Sequence, residues 1–249
     1  MRTIRMTLFL FIGAVGVRAF GSDANLIKNI DKARSENRLS DALKESKELF
    51  TAKPDDYGSL VRWVRSHNDI GESLLDQNKK KEAEPYFREA DKYARLLETK
   101  FPKRAEVQYY RAVVAGNLDG YLSLGKQMKM GHAVEKFAKR AVELDSNFQP
   151  AYVVLGSFYR EIAALNSFER AVFGKVPGAS FQNSEKLLRK AIELNPNDPF
   201  AHFELAGTLS KEHKSKEAKA NYQKVLSLPQ SDPRQPHLAA LAKKALEKK

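Results

Sequence analysis

The chain of 249 residues contains no cysteine, which removes a whole class of stabilising and anchoring chemistry. It can form no disulfide, and it can carry no lipid on an N-terminal cysteine. Stability must therefore come from packing alone, and export to an oxidising compartment carries no risk of mispaired thiols. The composition, 42% hydrophobic and 30% charged, is that of a folded globular or repeat protein rather than a disordered one.

Long apolar runs are also absent, and the longest, 6–17, lies near the N-terminus. Two arginines precede it, and no acidic residue occurs before Asp23. The run is shorter than the roughly 20 residues that span a bilayer, and it is apolar on all sides, unlike an amphipathic mitochondrial presequence. We therefore expect residues 1–21 to be a signal peptide, cleaved after Ala19 or Gly21, with an uncleaved anchor as the alternative. The mature protein is expected to be periplasmic or secreted, without a stable membrane span.

Patterns typical of catalytic and metal sites are missing. None of the five histidines stands four residues from another, and no His-Glu-x-x-His motif is present. No carboxylate pair is isolated in apolar surroundings, as general acid–base catalysis needs. The segment Gly120–Lys126 has the spacing of a phosphate-binding loop, but Gln127 replaces the hydroxyl residue that holds magnesium. We therefore expect a protein that is not an enzyme, with no catalytic residue, metal or cofactor.

Positive charge is in excess, with a formal net charge of +12. Removing the signal peptide takes away Arg2, Arg5 and Arg18 and leaves +9. This excess can favour acidic partners or anionic surfaces. Lysines nevertheless alternate with glutamates, as on solvated helix faces, and no base-reading module is present, so nucleic acid is not an expected partner.

The sequence does contain a repeated spacing of small and large apolar residues, with no alternating strand pattern. The clearer copy comprises His202, Leu205, Ala206, Leu209, Ala218, Tyr222 and Val225, and the other comprises Tyr152, Leu155, Gly156, Tyr159, Ala191, Leu194 and Pro196. These offsets indicate the tetratricopeptide repeat of about 34 residues, a pair of helices. We predict an all-α, tetratricopeptide-type α-solenoid of about five helical pairs over residues 22–229. A linker and a C-terminal basic capping helix occupy 230–249.

Local signals refine the helical pairs. Ser40 and Asp55 are predicted N-caps in the first two pairs, and Ser180 and Asp198 in the last two. The single tryptophan, Trp63, stands where the repeat requires a core residue. His202 also occupies a packing position.

Two pairs are longer than the repeat requires. The third holds about ten extra residues between its helices, and the fourth holds an insertion, 161–180. In this insertion an apolar stripe continues the preceding helix as far as Gly174. We expect Phe168 and Phe173 to pack on a neighbouring repeat, with an interaction surface as the alternative.

The insertion and the repeat after it also carry a family resemblance. The segments are Phe168-Glu-Arg, Phe173-Gly-x-x-Pro177, Lys190-Ala-Ile-Glu-Leu-Asn-Pro-Asn-Asp198-Pro and His202-Phe-Glu-Leu205. This run resembles the regulator of microtubule dynamics proteins and their bacterial relatives, loosely over 105–244. It is also similar to periplasmic tetratricopeptide proteins that associate with TRAP-type transporters. The resemblance implies an interaction scaffold without catalytic residues. A transporter component as partner, and microtubule regulation as in the eukaryotic members, are further implications.

Stacked first helices of such an array line a concave groove that selects a partner segment by shape. The groove positions are expected to be Tyr109, Val113, Asn117, Val153, Ser157, Arg160, Phe203, Gly207 and Lys211. For Tyr109 and Phe203, packing between repeats is the alternative. The predicted function is a non-enzymatic protein–protein interaction scaffold in the cell envelope that binds a protein or peptide. A small-ligand carrier or transporter-associated accessory protein is the alternative.

Overall fold

The computed structural model describes residues 20–122, 124–230 and 232–247. The predicted signal peptide lies outside these residues except for its last two positions. Twelve helices occur in the described part: α1 (Phe20–Ser35), α2 (Leu39–Ala52), α3 (Tyr57–Asp76), α4 (Lys80–Lys100), α5 (Ala105–Asp119), α6 (Leu124–Leu144), α7 (Gln149–Ala164), α8 (Ser167–Phe173), α9 (Phe181–Leu194), α10 (Pro199–Lys211), α11 (Ser215–Ser227) and α12 (Gln235–Glu247).

Ten of these helices form the five pairs of the predicted solenoid. The pairs are α1 with α2, α3 with α4, α5 with α6, α7 with α9, and α10 with α11. Each pair also packs on the next, and α12 covers the end by packing on α10 and α11. The predicted all-α tetratricopeptide-type solenoid of five helical pairs with a C-terminal capping helix is confirmed. Among the described helices, none is long and apolar enough to cross a membrane.

The turns inside three of the pairs share one construction. Each has a residue in the left-handed region two positions before the second helix, with φ near 60°: Asn37, Asn78 and His213. The amide of the following residue donates to the carbonyl five residues earlier, over 2.8–2.9 Å. This arrangement is the Schellman motif, which satisfies carbonyls at a helix C-terminus. It explains why a three-residue connection is enough to reverse the chain.

The helix N-termini confirm some predicted caps and correct others. Ser180 accepts a hydrogen bond from the backbone amide of Asn183, and Asp198 accepts one from Phe200, as predicted. In the second pair the cap is Asp56, which accepts from Ser59, so the prediction of Asp55 was wrong by one residue. Ser40 was also a wrong cap, because α2 already begins at Leu39.

Small residues allow the paired helices to approach closely. A Cβ on Gly71 of α3 would come within 2.6 Å of the ring of Phe87 in α4. A Cβ on Gly156 of α7 would come within 2.7 Å of Leu188 in α9. Phe87 and Leu188 are fully buried, so these glycines receive the large residues of the second helices. Trp63 is buried and stacks on Phe50 of α2, with ring centroids 5.2 Å apart, as predicted for a core residue.

The extra residues of the third pair lengthen its helices instead of forming a separate insertion. Most of them lie in α5 and in the first turns of α6, which has 21 residues. Gly131 stands inside α6 because a Cβ there would come within 2.3 Å of the ring of Phe173. The glycine therefore accommodates the fourth pair's insertion rather than breaking the helix.

The insertion of the fourth pair is a separate short helix. α7 ends at Ala164, and α8 begins with a capping box, in which Asn166 and Glu169 bond each other's backbone amides. The prediction for Phe168 was wrong, because this side chain is 78% exposed. The prediction for Phe173 is confirmed. Its ring packs against Gly131 and lies 5.3 Å from the ring of His132.

Candidate partner-binding cavity on the concave face

The first helices of all five pairs line one cavity of about 900 Å³. They are α1, α3, α5, α7 and α10, which form the concave face of the solenoid. Residues of α6 and α8 and of the segment before α12 complete the lining. Because each of these helices packs on its neighbours, the cavity is formed before any partner arrives.

One wall of the cavity is apolar. It is built mainly by α5 and α7, whose side chains are half-buried there, and by Phe173 of α8. Its aliphatic and aromatic members include Val113, Val153, Val154, Phe158, Ile162 and Leu165. The ring of Phe158 lies 6.4 Å from that of Phe173. Side chains of this kind supply most of the contact area in binding sites.

Polar residues of α1, α3 and α5 also line the cavity and are held by hydrogen bonds. Asn117 donates from Nδ2 to Asn68 Oδ1 (2.8 Å) and to Glu72 Oε1 (2.9 Å), which joins α5 to α3. Arg34 of α1 donates from Nε to Asp69 Oδ2 over 2.7 Å. Burial raises the pKa of Asp69 above its ordinary value and outweighs the opposing effect of Arg34. These contacts fix the orientation of polar groups that a partner would meet.

Two consecutive tyrosines, Tyr109 and Tyr110, also line the cavity. Tyr109 has its ring 5.1 Å from that of Tyr110 and 5.6 Å from that of Phe148. Burial raises the pKa of both Tyr109 and Tyr110, so each phenol keeps its proton at neutral pH. Tyr109 therefore packs between repeats and also lines the cavity.

The C-terminal segment closes the cavity against the first two pairs. Arg234 donates to both carboxylate oxygens of Asp76, over 3.0 and 2.9 Å, and lies 3.4 Å from Glu72. Asp232 accepts from Arg34 over 2.8 Å, so Arg34 joins the segment to α1. We call the set Arg34, Glu72, Asp76, Asp232 and Arg234 the clasp. Its hydrogen bonds join residues 158 and 198 positions apart, and they convert an open groove into a nearly closed ring.

Five of the nine predicted groove residues line the cavity: Tyr109, Val113, Asn117, Val153 and Ser157. All belong to α5 and α7, where the predicted register coincides with the helix face that the structure turns inward. Their contact with a partner stays a prediction.

The other four residues are not part of the cavity lining. Arg160 pairs with Glu204 (2.5 Å) and Glu161 (2.8 Å), which ties α7 to α10. Gly207 receives the Arg160 guanidinium, because a Cβ there would lie 2.7 Å from its Nη1. Phe203 packs on Tyr222, with ring centroids 5.7 Å apart, and joins the cluster that anchors α12. Lys211 is exposed at the end of α10.

In α10 the cavity is lined instead by Phe200 and Glu204, three residues before the predicted positions. The terminal helix α12 packs on α10 and α11, and both Phe200 and Phe203 pack on the cluster that anchors it. Periodicity cannot show where a terminal helix docks. The clasp was missed for the same reason, since its residues are far apart in the sequence.

Within the described part of the chain, no group of three or more His, Asp or Glu side chains could hold a metal ion. His202 is buried and hydrogen-bonded, with Nδ1 2.8 Å from Asn221 Oδ1 and Nε2 3.0 Å from the carbonyl oxygen of Pro196. It therefore serves the packing of the fifth pair, as predicted.

The fold and its concave cavity define a tetratricopeptide-type solenoid, the architecture of protein–protein interaction scaffolds. Residues 26–249 match the family described as Regulator of microtubule dynamics protein 1-3. The chain belongs to this family, and the resemblance noted in the sequence is confirmed.

Solved structures share the fold. TTC0263, a thermophilic TPR protein in Thermus thermophilus, is similar with a TM-score of 0.67 and 16% identity, over 90% of this chain and 98% of that chain. PilF of Pseudomonas aeruginosa is similar with a TM-score of 0.50 and 14% identity, over 91% of this chain and 85% of that chain. At these identities the likeness concerns the fold alone. No curated protein matches the chain significantly.

Proposed function

We propose that this protein is a non-enzymatic scaffold that binds a segment of a partner protein in its concave cavity. The observation that carries the proposal is the cavity itself, about 900 Å³ in volume and lined by the first helices of all five pairs. The cavity combines apolar side chains with oriented polar groups, which is the usual division between anchoring and orienting contacts. Preformed helices reduce the ordering cost of binding.

Site-directed photo-crosslinking in the native cell tests this proposal. A photoreactive amino acid replaces Val113 or Ser157, which line the cavity, or Lys47 or Lys81, which are exposed elsewhere. We expect the same covalent adduct from both cavity positions and none from the two lysine positions. Adducts from the lysine positions alone, or equally from all four, would contradict binding in the cavity.

The proposal includes an exported location, supported by the apolar run 6–17 and the arginines that flank it. N-terminal sequencing of the protein recovered from its compartment should begin at Phe20 or Ser22. A chain that still begins at Met1 in the cytosol would contradict export. Because an exported protein would not meet microtubules, the proposal does not include microtubule binding.

A small-ligand carrier is the second candidate, and the cavity volume favours it. Pockets for small molecules occupy about 300–1,000 Å³, and this cavity falls within that range. A carrier could also act beside a transporter, which is one partner class that the family resemblance suggests. Native mass spectrometry of the purified protein distinguishes the candidates, because a carrier would retain a small molecule that the Ser157→Trp variant loses.

A further inference from the structure

The charge of the cavity is opposite to that of the chain as a whole. The protein has a formal net charge of +12, whereas the lining residues comprise three arginines and eight carboxylates. The carboxylates are Asp69, Glu72, Asp119, Glu161, Glu169, Asp198, Glu204 and Asp232. The concave face is therefore an acidic surface within a basic protein.

The lining arginines do not offer free positive charge. Arg34 is paired with Asp69 and Asp232, and Arg234 with Asp76. Arg65 is paired with Asp31, outside the cavity. A negatively charged partner would have to compete with these carboxylates for every one of the three guanidinium groups.

Carboxylates, in contrast, remain without a cation. In the described part of the chain, Asp119 and Glu169 have no Lys, Arg or His nitrogen within the distance of an ion pair. Oδ1 of Asp119 is buried and accepts no hydrogen bond from a described residue. Asp119 is the last residue of α5, where the helix dipole adds partial negative charge. Burial raises the pKa of Asp119 above its ordinary value, so a cation at this end of the cavity would stabilise the ionised carboxylate.

An exposed aromatic side chain stands at the same cavity. Phe168 precedes Glu169 in α8 and is 78% exposed, although Phe173 of the same helix packs on Gly131. That contact holds α8 against α6, and Asp119, Phe168 and Glu169 all line the cavity. A single large aromatic exposed next to an unpaired carboxylate can meet both parts of a lysine or arginine, the apolar stem and the charged end. We call Asp119, Phe168 and Glu169 the acidic mouth.

We infer that the acidic mouth receives a basic and apolar segment of the partner protein, with a lysine or arginine set among hydrophobic residues. This inference rests on the proposed function and adds the chemistry of the partner. The cationic end contacts Asp119 and Glu169, and its stem covers Phe168. The neighbouring apolar residues of the segment pack on the wall that Val153 and Phe158 form.

Two labelled peptides test the inference by fluorescence anisotropy on the purified protein. One is an amphipathic helix of leucines and lysines, and the other has glutamate in place of every lysine. We expect the lysine peptide to bind at least tenfold more tightly than the glutamate peptide, even though the net charge of the protein favours the acidic one.

Variants of the acidic mouth test whether the lysine peptide binds there. Asp119→Asn combined with Glu169→Gln should weaken the lysine peptide by about fivefold, since each partly exposed charge contributes modestly. Glutamine at the third helical position preserves the capping box of α8. Phe168→Ala should also weaken binding of the lysine peptide. Because the Phe168 side chain is exposed, we expect this variant to fold normally. The matched control is Glu48→Gln with Glu82→Gln, two exposed carboxylates outside the cavity, with a change below twofold.

The outcomes separate this inference from the proposed function. If the glutamate peptide binds more tightly and Ser157→Trp abolishes that binding, the inference is overturned while the cavity remains the binding site. Equal weakening by the mouth and control variants would also overturn it. If neither peptide binds, the inference is overturned but the proposed function is not. If Ser157→Trp leaves peptide binding unchanged, binding in the cavity is contradicted as well.

Discussion

The clasp should contribute measurable stability by joining the two ends of the solenoid. The test is a double-mutant cycle of Arg234→Met and Asp76→Asn, because Arg234 binds both oxygens of Asp76, over 3.0 and 2.9 Å. Their side chains are 28% and 16% exposed, so the pair is neither fully buried nor freely solvated. We expect a coupling energy of about 1–2 kcal/mol, above that of exposed pairs and below that of fully buried ones.

The assay is equilibrium unfolding in urea, followed by circular dichroism. A matched control cycle uses Arg88→Met and Glu84→Gln, an exposed pair four residues apart within α4. That pair should couple by only about 0.3–0.5 kcal/mol. Small-angle scattering should also show a larger radius of gyration for Arg234→Met. A clasp coupling no greater than the control, with an unchanged radius, would refute the reasoning that these ion pairs close the ring.

Further predictions concern packing and pH. Gly71→Ala should destabilise the fold by about 1–3 kcal/mol, because its Cβ would meet the buried ring of Phe87 at 2.6 Å; an unchanged melting temperature would show that the second pair can relax. Phe87→Ala should cost about 3–5 kcal/mol, whereas Phe168→Ala should change the melting temperature little, and a comparable loss from both would contradict their different burial. Burial opposes the ionisation of Glu185, but hydrogen bonds from Lys214 and Arg189 outweigh it and lower the pKa of Glu185 from 4.5 to about 2. Its contribution, about 1 kcal/mol after solvent screening, is therefore present above pH 4.5 and lost as the pH falls toward 2. Urea titrations of Glu185→Gln should show a shallower acid dependence, and a dependence equal to that of the unchanged protein would disprove this linkage.

The fold could be predicted from the sequence because repeat packing is local. The spacing of Leu205 and Ala218 determines how two neighbouring helices nest, and both share a core cluster with Leu188 of the helix just before them. Turn chemistry is equally local, as Asn37 shows with its left-handed conformation. Local patterns of this kind predicted the helical pairs and the inward face of α5 and α7.

The insertion shows a signal that was present in the sequence but outweighed by periodicity. Asn166 followed by Glu169 at the third position is the pattern of a capping box and marks a new helix. The apolar stripe suggested instead that the helix before it continued through Phe168. The stripe is broken at Leu165, where the cap residue of α7 has extended backbone. The capping-box pattern therefore indicated the start of α8 better than the apolar periodicity did.

The clasp and the lining of α10 depend on contacts that no local pattern encodes. Asp232 meets Arg34 only because the whole solenoid curves until its ends approach. Phe203 packs in the cluster that anchors α12, a contact set by the position of the terminal helix. The superhelical curvature and the position of the terminal helix depend on the geometry of every repeat. A small error in the predicted geometry of each repeat therefore adds up to a large error in the predicted positions of the site residues.

The most direct test of a cavity that binds the partner is to fill it. Ser157→Trp places a large side chain among the residues that line the concave face, and Glu48→Trp places the same side chain on an exposed outer position. The affinity of the partner that cross-links at Ser157 is then measured for both variants by calorimetry, with circular dichroism to establish equal folding. We expect Ser157→Trp to reduce the affinity by at least tenfold and Glu48→Trp to leave it unchanged. Equal affinities of the two folded variants would contradict binding in the cavity.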